Sequence, residues 1–141
     1  MPLTQSERES FLTEPHIGAL SIARSDADRA PLNVPVWYMY EPGGDLWLVT
    51  AADSAKAKAL RAAGRASLMA QRTEPTVRYV TVEGPVEIEP STPEQLRAVA
   101  EHYLGPEGAA KYLEFAEAEL GDEVIVRMRP EKWLSADMGS F

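Results

Sequence analysis

The residues with the strongest claim to chemistry sit in one strand–turn–helix unit: Trp47-Leu48-Val49-Thr50, then Ala51-Ala52-Asp53, then Ser54-Ala55-Lys56-Ala57-Lys58-Ala59-Leu60. The first amides of a helix have no partner within it, and the helix dipole makes that end attractive to anions. With hydroxyls from Thr50 and Ser54, and with Lys56 and Lys58 in the first turns, the tip becomes a phosphate cradle that needs no glycine loop. Helical geometry sets a limit. Ser54 and Lys58 are four residues apart and share a face, whereas Lys56 lies roughly 200° around from both. Both lysines reach one phosphate only if Lys56 belongs to the entry turn. A plain capped helix is the alternative reading of the same residues.

Other chemistries find less support. His16 and His102 are far apart and show no HxH or HExxH spacing, so a structural role is expected for both and no metal site. No serine has the GxSxG elbow, and neither GxGxxG nor GxxxxGK[ST] occurs, which leaves acyl transfer and the Rossmann and P-loop nucleotide folds unsupported. Glu114, Glu117 and Glu119 read as the solvated face of a helix. With no cysteine, disulfides, thiolate metal sites and cysteine nucleophiles are excluded.

The charge balance, 22 acidic against 14 basic residues for a net −8, disfavours nucleic acid as a partner. Between Ser54 and Thr73, however, stand Lys56, Lys58, Arg61, Arg65 and Arg72 without a single acid. One basic island in an acidic chain points to a small anionic partner, or to a solvated helix face. A length of 141 residues corresponds to a single domain spanning 1–141, given about 150 residues per domain. Composition, 45% apolar and 26% charged, is that of a globular protein. No apolar run is long enough to span a bilayer, and Met1 to Glu14 lacks the apolar core of a signal peptide. A cytoplasmic protein without a membrane partner is expected.

The elements that must position the cradle follow from periodicity and turn chemistry. Thr4-Gln5-Ser6-Glu7 has capping-box spacing and predicts a short helix ended by Pro15. His16 to Arg24 and Pro31 to Tyr40 alternate as strands, the second with Leu32, Val34, Val36, Tyr38 and Tyr40 on one face. Pro35 cannot donate to a ladder and predicts an edge or an irregularity there. Glu41-Pro42-Gly43-Gly44 is a hairpin turn into the strand Asp45 to Thr50, and the basic helix then runs to about Ala63 and is closed by Gly64. Arg65 to Gln71, Val77 to Glu89 (bent or bulged at Gly84-Pro85) and Glu123 to Arg129 complete six strands. Between the last two, Thr92-Pro93-Glu94-Gln95 caps a helix with Leu96, Val99, Ala100, Tyr103 and Leu104 inward. Gly105 and Pro106 separate it from a second with Tyr112, Phe115, Ala116 and Leu120 inward. Six strands joined by hairpins predict closure into a small barrel. Trp37, Trp47 and Trp133 are candidates to flank a planar substrate, with core packing favoured for Trp47.

Taken in order, HIGALSIA, PLNVPVWYMY, LWLVT, SAKAKAL, RASLMA, RYVTVEGPVEI and VIVRMRPEKW resemble the pyridoxamine 5′-phosphate oxidase-like family of flavin- and deazaflavin-binding split barrels, over nearly the whole chain. The resemblance implies a mainly β fold with helices: a six-stranded antiparallel Greek-key split barrel, paired as a homodimer with cofactor at the interface. It implies that Asn33, Val34, Pro35, Val36 and Trp37 line the ring of the deazaflavin coenzyme F-420 or of FMN. Thr50, Ser54, Lys56 and Lys58 would hold the phosphate, and Arg78 and Tyr79 would approach from the partner subunit. The family's usual arginine after the serine is Ala55 here, so one phosphate ligand is missing. The implied function is hydride transfer between the bound cofactor and a small organic substrate, with a non-catalytic flavin-binding or storage protein as the alternative. Five clustered bases suit the phosphodiester and polyglutamate tail of coenzyme F-420. No residue stands out as a general acid, and Tyr38, Tyr79 and Lys58 qualify only if they face the ring.

Overall fold

The computed structural model describes residues 1–119 and 121–141. Within them run α1 (Gln5–Thr13), β1 (Gly18–Ile22), β2 (Leu32–Val36), β3 (Met39–Tyr40), β4 (Leu46–Ala51), α2 (Ala55–Ala63), β5 (Arg65–Arg72), β6 (Val77–Pro90), α3 (Pro93–Glu119), β7 (Glu123–Met128) and β8 (Lys132–Gly139). The strands pair antiparallel in the order β2-β1-β5-β6-β7-β4-β3, with β8 beside β6. β2 and β3 are the two ends of this sheet, yet only Trp37 and Tyr38 separate them in the chain. The sheet therefore curls until its ends meet at one corner, which gives a split barrel.

Side chains alternate across the wall, and the even-numbered positions point inward. Leu20, Ile22, Val36, Tyr38, Tyr40, Leu46, Leu48, Leu68, Ala70, Val80, Val82, Val126 and Met128 form one continuous core. α1 contributes Phe11 and Leu12 to it and α2 contributes Leu60. At α1, Glu7 N donates to Thr4 Oγ1 at 3.1 Å and Thr4 N to Glu7 Oε1 at 2.9 Å, so the capping box is complete.

Among the described residues there are eight strands, not the six expected, and both additions have physical causes. The stretch Pro31 to Tyr40 is not one strand, because the chain leaves one end of the sheet after Val36 and joins the other at Met39. Alternation hides the break: Val36, Tyr38 and Tyr40 are all buried, as they would be in a continuous strand. Residues 132–139 form the further strand β8, paired with Val77 to Glu83 of β6. Pro35 lies on the edge strand β2, where a missing donor is tolerated.

β6 is the longest strand, and it changes partners along its length. Arg78 to Pro85 pair with β5 and Val77 to Glu83 with β8, whereas Val86 to Pro90 pair with β7. The chain crosses from β7 to β8 directly over Gly84. Arg129 N donates to Pro85 O at 3.0 Å and Glu131 N to Glu83 O at 2.9 Å, and a Cβ on Gly84 would land on the Arg129 carbonyl oxygen. The expected bend at Gly84-Pro85 is thus a change of partner, with no register shift at that point.

α3 is two helical segments, 93–104 and 106–119, broken at Gly105 (φ 73°, ψ 173°) as the Gly-Pro pair predicts. Thr92 N donates to Gln95 Oε1 at 2.8 Å and Gln95 N to Thr92 Oγ1 at 3.3 Å, which caps its start. Val99, Ala100 and Ala116 are buried. Leu104 and Phe115 are not, at 42% and 53% exposure: Leu104 is the last residue before the break, and Phe115 packs at the surface against Tyr112. The expectation for Leu120 lies outside the described residues.

α3 packs against β4, and on the adjoining β7 Ile125, the register partner of Val49, is completely buried. The outer face of β1, β2, β5 and the first half of β6 differs. There Ala19, Ser67, Met69 and Tyr79 stay half-buried and Asn33, Pro35 and Gln71 exposed. Among the described residues no helix is long and apolar enough to cross a membrane.

Candidate functional site

α2 begins at Ala55 with Ser54 as its cap, so Lys56 is the second helical residue and does belong to the entry turn. Ser54 Oγ accepts from Ala57 N at 3.1 Å and lies 3.2 Å from Thr50 Oγ1. Thr50 is buried at 6% exposure, the end of an inward row on β4. The two hydroxyls therefore serve the helix cap first. Gly64 ends α2 in the left-handed conformation (φ 70°), which leaves the helix just long enough to send Leu60 into the barrel.

Lys56 reaches a cleft of about 170 Å³ lined by Pro35, Val36, Trp37, Val49, Leu96, Val99, Tyr112 and Glu123. Two further clefts continue along β2. One of about 300 Å³ is walled by Ile17, Pro35, Val36, Trp37 and Tyr112, and one of about 490 Å³ by Ile17, Gly18, Ala19, Asn33, Val34, Pro35 and Gln71. The structure thus brings Asn33, Val34, Pro35, Val36, Trp37 and Lys56 into one run of adjoining depressions. Among the described residues Lys56 makes no salt bridge.

Lys58 does not join them. It is exposed two residues further on, roughly 200° around the helix from Lys56, so it faces away once Lys56 faces the cleft. Arg78 and Tyr79 sit on β6, with Tyr79 opposite Gln71 in the ladder. Arg78 Nε donates to Asp137 Oδ2 at 2.8 Å, so within one chain that guanidinium is already engaged. The basic island also disperses in three dimensions. Arg61 Nη1 donates to Ala52 O at 2.8 Å, Arg65 Nη2 to Glu131 Oε1 at 2.9 Å, and Arg72 Nη2 to Thr76 Oγ1 at 2.8 Å. Only Lys56 and Lys58 remain unpaired of its five bases among the described residues.

Trp37 is held at the centre of the cleft by α3. Its ring stacks on Tyr103 with centroids 5.1 Å apart and planes 10° apart, and Tyr112 packs at 5.2 Å. The Tyr103 hydroxyl accepts from Tyr38 N at 3.0 Å and donates to His16 O at 2.7 Å, with Tyr38 O 3.1 Å away. Burial pushes that phenol up to about 12, so it stays a neutral donor across the physiological range. Tyr38 itself, a candidate proton donor, points into the core at 1% exposure, and burial raises its phenol further still. Trp133 rather than Trp47 packs on the core, with the Arg8 guanidinium 4.7 Å from its ring. His16 stacks on Phe11 at 4.1 Å and His102 lies edge-on to Tyr103, both structural roles. No group of three metal-binding side chains occurs among the described residues.

Sequence reasoning missed Tyr112 and Glu123 as cleft residues. Tyr112 had a helical-face signal that reads as core. Glu123 had none, since its place depends on the pairing of Ala51 with Glu123 across β4 and β7. The residues present fit the phosphate end of a flavin-type cofactor in part: a free ammonium, a helix start and an aromatic wall are there, while Ala55 offers no side-chain donor in the first turn.

Comparison with known proteins agrees with the split-barrel fold. No curated protein matches the chain. Among solved structures, a conserved hypothetical protein from Mycobacterium tuberculosis superposes with a TM-score of 0.73 at 29% identity, covering 96% of this chain and 85% of that one. An F-420 reductase superposes with a TM-score of 0.70 at 24% identity over 89% and 94% of the two chains, and a FAD-binding protein from Mesorhizobium loti with 0.68 at 20% over 97% and 95%. A family model described as pyridoxamine 5′-phosphate oxidase matches residues 4–136. With that match spanning nearly every element of the split barrel, the chain belongs to the pyridoxamine 5′-phosphate oxidase-like family.

Proposed function

We propose that this chain is an oxidoreductase that binds coenzyme F-420 or FMN and transfers a hydride between that cofactor and a small organic substrate. The observation that carries this reading is the cleft shared by Pro35, Val36, Trp37 and the unpaired ammonium of Lys56. An aromatic and backbone wall next to a single free cation at a helix start suits a planar ring bearing an anionic tail. The structural likeness to an F-420 reductase and a FAD-binding protein supports the same class of cofactor.

When bound, the cofactor supplies the hydride chemistry from its ring. The protein's part is to bind, orient and exclude water. Lys56, with the first amides of α2, fixes the anionic end, and residues 33–37 align the ring. α3 closes the side of Trp37 that would otherwise face solvent. A second copy would bring Arg78 and Tyr79 over the exposed side. The uncovered wall of β1, β2 and β5 favours that homodimer, and Arg78 keeps its terminal nitrogens for a ligand while Nε holds Asp137.

Titration with FMN and with coenzyme F-420, followed by fluorescence quenching, tests the reading. Saturable quenching by at least one is expected, and Lys56→Ala should weaken it ten- to a hundredfold, about 1.5–3 kcal/mol for a charge-assisted bond. Quenching by neither overturns it. Ala55 favours a second reading, a non-catalytic binding or storage protein with looser hold on the cofactor. Binding without turnover of any quinone or enone would select that one.

A further inference from the structure

We infer that Glu123 sets the charge selectivity of the Lys56 cleft, disfavouring a dianionic phosphomonoester and favouring a phosphodiester monoanion. The inference rests on the cofactor reading above. Glu123 and Lys56 line the same cleft of about 170 Å³, one from the first residue of β7 and one from the entry turn of α2. They form no ion pair with each other among the described residues, so each charge is available to whatever enters.

The backbone fixes Glu123 there from three sides. It pairs with Ala51 in the β4–β7 ladder, its carbonyl accepts from Ser91 N at 3.3 Å, and the preceding carbonyl, of Asp122, accepts from Ala52 N at 2.9 Å. The side chain is half-buried, and burial raises its carboxyl above the usual range, as for a charge kept partly from water. Its charge in turn contributes to raising the Tyr112 phenol across the cleft. In the adjoining cleft that Glu123 also lines, Arg97 and Glu117 of α3 offset each other, and Asp122 beside them adds one further negative charge.

A ligand phosphate at Lys56 therefore meets one cation and one anion. A phosphodiester, with a single negative charge, gains from the lysine about what it loses to the glutamate. A phosphomonoester such as that of FMN, with close to two charges at neutral pH, gains twice as much from Lys56 and loses twice as much to Glu123. Nothing then offsets its larger cost of leaving water, and no Arg at position 55 makes up the difference. The chain thereby distinguishes coenzyme F-420 from FMN by charge at the phosphate, independently of any contact to the ring.

The test compares wild type and Glu123→Gln by titration with FMN and with riboflavin, the same ring without phosphate, with coenzyme F-420 as a third ligand. Thermal melting checks that the variant folds, and Glu117→Gln serves as a control for net charge. In wild type the FMN-to-riboflavin affinity ratio should be small. Glu123→Gln should raise that ratio on the order of tenfold, from one unit charge removed at close range, and change coenzyme F-420 affinity less. Glu117→Gln should leave the ratio within about twofold. An unchanged ratio in Glu123→Gln, with FMN still bound, overturns the inference and leaves the cofactor reading standing. Failure of all three ligands to bind either protein overturns both.

Discussion

The barrel has two outer walls, built on the same inner pattern and finished differently. On the wall of β4 and β7 the chain provides its own cover: α3 packs against β4, Ile125 of the adjoining β7 is completely buried, and Tyr103 of α3 stacks on Trp37. On the wall of β1, β2, β5 and the first half of β6, positions such as Met69 and Tyr79 stop at half-burial and Gln71 at exposure. The covered wall is held by apolar packing. The bare wall is anchored at its end by polar bonds, with Asp137 of β8 accepting from Thr76 Oγ1 at 2.6 Å, Arg78 Nε at 2.8 Å and Gly139 N at 2.8 Å. An inner face thus records only that a strand belongs to a barrel. The outer face records what lies beyond it, and here the candidate site falls along β2, between the two.

The largest effect should come from the seam where β6 passes from one wall to the other. Gly84→Val puts side-chain atoms where the Arg129 carbonyl lies, and a loss of more than about 4 kcal/mol, read as failure to fold cooperatively in urea, is expected. Normal unfolding of that variant would mean that the crossing between β7 and β8 is free to move.

Next come matched truncations on the two walls. Ile125→Ala should cost about 2–5 kcal/mol at any protein concentration. Met69→Ala should cost about 1 kcal/mol or less in the isolated barrel. If a second copy covers that wall, the Tm of wild type will rise with protein concentration and Met69→Ala will flatten the dependence. Equal, concentration-independent losses at both sites would erase the distinction between the walls.

The smallest effect is the pH response of the polar clasp. Hydrogen bonds from Thr76, Gly139 and Arg78 hold the Asp137 carboxyl down at about 2, against 3.8 without them. The native state therefore binds its proton later than the unfolded chain. The stability this provides is present in full above about pH 4 and is lost as pH falls toward 2. Urea midpoints at pH 6 and pH 3 should differ less in Asp137→Asn than in wild type. An identical difference would assign the acid response to other carboxylates.

Much of this was legible because it is local. The capping boxes at Thr4 and Thr92, the Ser54 cap, the Gly64 stop and the Gly105-Pro106 break each follow from residues within four positions of one another. The inward rows were legible because a strand's period of two survives whatever the strand pairs with. The break at Trp37 and Tyr38 was not, for that same reason: alternation continued through a change of sheet end. Nor was β8, in which Trp133 is the single residue packed on the core and Ser135 and Asp137 interrupt any apolar pattern. The basic island misled because the partners of Arg65 and Arg72, Glu131 and Asp137, lie more than sixty residues on. In the candidate site, Lys56 was readable from its place at the start of a capped helix, and residues 33–37 only through the family resemblance. Glu123 and Tyr112 enter the cleft only through the packing of β7 and α3.

The phenol of Tyr103 has a consequence for how the corner between β2 and β3 behaves. That one hydroxyl accepts the Tyr38 amide, donates to the His16 carbonyl and is carried by a ring stacked against Trp37. Loosening of the corner and lifting of the helix segment that bears Tyr103 are therefore a single cooperative event, with one opening free energy shared between them. Residues 33–37 are only as rigid as the hold of that helix on the barrel, and a ligand that tightens one tightens both.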